Sequence, residues 1–133
     1  MASNSATSLQ KTFKLDTYTL FARGIITNAT GAVSTVTSGG ASKEAAITRT
    51  AAGKYTITWA NLPVNQFLGY PVLGLLNSDD TTNEAYPITL ASESGSAMSV
   101  YVWKVGETGL AIVDPPSGSS ICVTAFATTS PVF

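Results

Sequence analysis

Cys122 is the only thiol in this sequence, and there is no histidine to act as its base. A thiol needs a nearby base or cation to become a nucleophile at neutral pH, and Cys122 lies in the apolar run Ile121-Cys122-Val123. It reads as a small buried hydrophobe. Without histidine the Ser-His-Asp arrangement is impossible, and the commonest transition-metal ligand is missing. Paired carboxylates are the remaining route to acid–base chemistry. The acids are Asp16, Glu44, Asp79, Asp80, Glu84, Glu93, Glu107 and Asp114. Most of them stand in or beside turn signals, where solvated carboxylates are ordinary. Only Asp79-Asp80-Thr81-Thr82-Asn83-Glu84 is dense, and its hard oxygens would suit a loop-bound calcium, although the spacing is not that of an EF-hand. Gly39-Gly40 is a turn and not a phosphate-binding loop. The residues therefore predict no catalytic machinery, no cofactor and no enzymatic activity.

The aromatic side chains offer binding chemistry instead. Trp59, Trp103 and Tyr101 would make a sugar-stacking platform if they shared an open surface. Both tryptophans, however, end alternating strand faces, which is the pattern of a core or a subunit interface. The residues expected at a contact with another subunit are Tyr55, Trp59, Tyr70, Val72, Leu73, Trp103 and Phe133.

The elements that must carry these residues are strands. In Gly53-Lys54-Tyr55-Thr56-Ile57-Thr58-Trp59, Tyr55, Ile57 and Trp59 fall on one face and Lys54, Thr56 and Thr58 on the other. A weaker alternation over 46–50 precedes it. Ala51-Ala52-Gly53 is short enough for a hairpin in which glycine takes a positive φ. Further strands are expected over 17–26, 32–37, 70–76, 85–90, 97–105, 109–113 and 119–128. Residues 70–76 are almost wholly apolar, which suits a strand buried on both faces or one at a subunit contact. Pro87 places 85–90 at a sheet edge. In 97–105, Met98, Val100 and Val102 oppose Tyr101, Trp103 and Val105. Residues 61–69 allow a helical turn or two. The spacing predicts a single all-β domain over 1–133, an antiparallel β-sandwich of about eight strands. Residues 1–10 form a polar arm suited to ordering on a neighbour.

Charged residues make up 11% of the 133, against about 25% in an ordinary soluble domain. Mean hydropathy is +0.23. A surface so poor in charge lacks the usual barrier to association. The seven basic residues are scattered, which argues against nucleic acid as a partner. No apolar stretch approaches the ~20 residues of a membrane helix. The polar opening Met1-Ala2-Ser3-Asn4 predicts no secretory signal, so synthesis in a cytoplasm is expected.

The segment Ile47-Thr-Arg49-Thr-Ala-Ala-Gly53-Lys-Tyr55-Thr-Ile57-Thr-Trp59 resembles a hairpin of small tailed-phage virion proteins, in which an Arg-Thr-x-x-Gly turn leads into Tyr-x-Ile/Val-x-aromatic. Phe21-Ala-Arg-Gly-Ile-Ile-x-x-Ala-x-Gly31-Ala-Val-Ser and Asp114-Pro-Pro-Ser-Gly-Ser-Ser share that likeness. Complement-type globular heads and fibre tips carry a similar hairpin. The resemblance implies a jelly-roll-like sandwich on the capsid surface of a virion. It implies a homotrimeric decoration (cement) protein that bridges subunits of the major capsid protein. A receptor- or carbohydrate-binding fibre head is an alternative. The coat protein of a small RNA phage is another, since such coats share the length and the opening Met-Ala-Ser-Asn but end in long helices.

Overall fold

The computed structural model describes residues 17–36, 45–59, 66–67, 71–77, 84–94, 97–106 and 109–128. They form ten strands: β1 (Thr17–Ile26), β2 (Val33–Val36), β3 (Ala45–Ala51), β4 (Lys54–Trp59), β5 (Gln66–Phe67), β6 (Val72–Leu76), β7 (Ile88–Ser94), β8 (Ala97–Gly106), β9 (Gly109–Ile112) and β10 (Ser120–Thr128). The first sheet has the order β2-β1-β10, with β5 and β6 sharing the far edge of β10. The second has the order β3-β4-β8-β7, with β9 continuing β4's side of β8. All pairs are antiparallel. The first strand pairs with the last and β4 with β8, as in a jelly roll, where a long two-armed ribbon folds over on itself.

The two sheets meet over the apolar side of each strand. Leu20, Ala22 and Ile26 of β1 and Ile121, Val123, Ala125 and Ala127 of β10 face Tyr55, Ile57 and Trp59 of β4 and Met98, Val100 and Val102 of β8. Full burial of each large side chain contributes about 1.5–3 kcal/mol, so these rows dominate the fold's stability. The Trp59 ring meets Phe67 edge to face at 5.7 Å, which closes one end of the core.

Thr35 joins the sheets along one side. Its Oγ1 accepts the Ile47 backbone N–H at 2.9 Å, satisfying a donor on the edge strand β3. Thr35→Val, which keeps the shape and removes the acceptor, is expected to cost about 1–2 kcal/mol, because a half-buried amide loses its partner. Urea unfolding checks this.

Several expected elements shift. The turn or two of helix expected within 61–69 is replaced, over its described part, by β5 pairing with Ala127–Thr128. That strand is the one addition to the stretches expected, and it brings the count to ten. The edge strand expected over 85–90 begins after Pro87 and runs on to Ser94, with a register shift between Leu90 and Ser92. Pairing with β8 overrides the turn composition of Ser92-Glu93-Ser94. Residues 109–128 contain two strands and no helix, so the long terminal helices needed by the coat-protein alternative are not present there. Among the described residues no helix is long and apolar enough to cross a membrane. The expected arm, 1–10, lies outside the described residues.

Candidate assembly face

Alternation along β1, β6 and β10 sends half of each strand away from the core. The pairing aligns these outward positions in rows: Ile25, Ser120 and Leu76; then Arg23, Cys122 and Gly74; then Phe21, Thr124 and Val72; then Thr19 and Phe126. The outer face of the first sheet is therefore apolar. Val72 and Leu76 are 64% and 62% exposed, Phe21 and Phe126 44% and 42%, and Ile25 37%. Among the described residues the face carries one charged side chain, Arg23, whose guanidinium donates to Ser120 Oγ at 3.2 Å. Gly74 leaves open space beside Cys122, since a Cβ there would meet no atom within 4 Å.

The outer face of the second sheet differs. Thr48, Thr56, Thr58, Ser92 and Ser99 cover much of it. Tyr101 and Trp103 stand toward one end, edge to face at 6.5 Å and 66°. The Trp103 indole N–H donates to Thr89 Oγ1 at 2.8 Å, and the Lys54 ammonium lies 5.3 Å from the Tyr101 ring centre. The rings are steeply inclined and one face is already occupied, so they do not form an open flat stacking surface.

The expected contact residues separate accordingly. Val72 is on the apolar outer face. Leu73 points the other way and packs against the core. Tyr55 and Trp59 are fully buried within the domain, a correction to their expected place at an interface: they end an inward row, and both sheets cover them. Trp103 is half-buried on the opposite sheet. Tyr70 and Phe133 lie outside the described residues. Cys122, expected in the core, is half-buried on the outer side, because it alternates with the buried Ile121 and Val123. Phe21, Ile25, Leu76 and Phe126 are exposed on the same face as Val72 and are not among the expected contact residues. The signal for them was the outward phase of β1 and β10, opposite in parity to the core row.

A second constellation holds the loops at one end of the sandwich. Asp114 Oδ1 accepts from Arg49 Nε at 2.9 Å and from the Gly53 backbone N–H at 2.8 Å, and Oδ2 accepts from Arg49 at 2.9 Å. The Tyr55 hydroxyl donates to the Gly31 carbonyl at 2.9 Å and lies 3.4 Å from Asp114 Oδ1. Gly31 has φ +82° and packs so closely that an added Cβ would fall 2.4 Å from the Asp114 carboxyl. Gly53 has φ +68°, as the hairpin spacing predicted. The three separated segments that carry the virion-protein resemblance thus meet at one carboxylate.

Burial raises the Asp114 pKa, but the Arg49 hydrogen bond, the Gly53 N–H, the Arg49 charge and the Tyr55 hydroxyl together outweigh it, leaving it below its ordinary 3.8. Burial pushes the Tyr55 phenol up, and the Asp114 charge adds to this. A folded-state pKa below the unfolded value gives stability that is present above the unfolded value and is lost as pH falls through the folded one. The folded protein is therefore expected to keep the Asp114 contribution at neutral pH and lose it progressively below about pH 4. Melting temperature followed from pH 6 to pH 2 should fall less steeply in Asp114→Asn than in the parent.

No family model, curated protein or solved structure matches this chain. Among the described residues no group of three His, Cys, Asp or Glu is placed to hold a metal. Asp79 and Asp80 lie outside them, while Glu84 pairs with Lys104 at 3.0 Å and accepts from the Tyr86 hydroxyl at 2.9 Å.

Proposed function

We propose that this protein is a virion structural subunit that works by assembly, as a homotrimer that decorates a capsid and bridges its subunits. The observation that carries the reading is the apolar outer face of β1, β6 and β10. Five large side chains exposed on one sheet make a patch of the class, about 300–600 Å² on typical monomers, that is often functional. With charge so scarce in the chain, a second copy is the occupant that meets least electrostatic resistance. A standard interface buries about 800 Å² per partner, so the patch would form its centre and the hydroxyl-bearing margins its rim. The resemblance around Arg49, Gly53 and Asp114 supports placing that assembly on a phage particle.

The test is the composition of purified particles of the virus whose genome encodes the chain. The reading expects the protein in them at a stoichiometry tied to the major capsid protein, and released as trimers by mild dissociation. Its absence from the particles, with all of it free in the lysate, would overturn the reading.

A further inference from the structure

The described residues hold seven charged side chains: Arg23, Arg49, Lys54, Lys104, Glu84, Glu93 and Asp114. Arg49 pairs with Asp114 and Lys104 with Glu84. Lys54 lies over the Tyr101 ring. Among the described residues this leaves three charges without a counter-charge: Lys54, which rests against that ring on the outer face of the second sheet, Arg23 and Glu93. Arg23 stands alone in the middle of the apolar face, with only the Ser120 hydroxyl as partner. Glu93 is exposed on β7, the edge strand of the opposite sheet.

These positions bear on the symmetry of the assembly. A twofold contact is self-complementary, so two copies meeting through this face would each bring the same patch, and with it an Arg23. No carboxylate is on the described part of the face to answer them, and unpaired charge in a desolvated contact is costly. A head-to-tail contact avoids the conflict by setting the face against a different surface of the next copy, and it forms a ring when the rotation between copies closes, as in the proposed trimer. The free carboxylate on the β7 edge supplies the missing charge.

We infer that the apolar face of one protomer receives the β7 edge of the next, with Arg23 pairing to Glu93 across the contact. This rests on the proposed self-assembly and names its partner surface. The contact uses both the face and the edge of every copy, so a ring leaves neither exposed.

Charge reversal tests it. The full-length protein is compared with Arg23→Glu, Glu93→Arg and the double variant by sedimentation velocity over a range of concentration. Both positions are exposed, so the variants should fold, and far-UV circular dichroism checks this. Each single reversal is expected to weaken association by roughly tenfold or more, as when one member of a desolvated pair is lost. The double variant is expected to restore it, since each contact then joins the same two positions with their charges exchanged. If the parent is oligomeric and the single reversals associate normally, or the double variant fails to recover, the pairing is wrong while self-assembly stands. A strictly dimeric parent also overturns the head-to-tail contact. A parent that is monomeric throughout overturns the assembly reading itself.

Discussion

Asp114→Ala is expected to destabilise the domain by about 2–3 kcal/mol, which is roughly a 10 °C fall in melting temperature for a domain of this size. The carboxylate is mostly buried, with its side chain 15% exposed, and it accepts from three donors on the β3–β4 hairpin. Its removal strips the Gly53 N–H of its acceptor and frees the Arg49 side chain. The Arg49 ion pair is partly solvated and adds little alone. The larger part of the loss is the unpaired amide in the hairpin, together with the space opened beside Gly31. Asp114→Asn keeps the volume and one acceptor oxygen, so it should lose less. Thermal unfolding at neutral pH distinguishes the two. Equal stability of Asp114→Ala and parent would show that the loops are held by other means.

The second large effect concerns assembly. Val72→Glu combined with Leu76→Glu is expected to convert the protein to a folded monomer. Both side chains are more than three-fifths exposed on the outer side of β6, so the substitutions remove almost no core packing. Two carboxylates there would have to be desolvated in any contact made through the face, which is strongly unfavourable. The melting temperature of the parent should rise with protein concentration, by mass action, and that of the double variant should not. A variant that still associates would place the contact elsewhere.

Much of the fold is legible in the sequence because it rests on a period of two. Tyr55, Ile57 and Trp59, and Met98, Val100 and Val102, declare their shared inward face by alternation alone, and the hairpin glycine at 53 follows from turn length. The misread parts depend on pairing partners that are distant in the chain. Ser92-Glu93-Ser94 has the composition of a turn and becomes strand because β8 continues opposite it. The two residues of β5 are strand only because Ala127 and Thr128 lie beside them.

The candidate site is legible only in part for the same reason. Val72 stands out in an apolar run, but Phe21, Ile25, Leu76 and Phe126 become one surface only once β1, β10 and β6 are known to be neighbours. Trp59 misled because a large aromatic at a strand end suits a core and an interface equally. The role of Asp114 in joining the loops is not legible because, in sequence, it is one more acid before a Pro-Pro turn. Its significance comes from Arg49 and Gly53, more than 60 residues away along the chain.

The most direct measurement is the native mass of the intact protein by multi-angle light scattering across a hundredfold range of concentration. Self-assembly through the apolar sheet predicts a mass three times the 13.7 kDa of the chain, falling toward one chain only at high dilution. A constant 13.7 kDa at every concentration would contradict it.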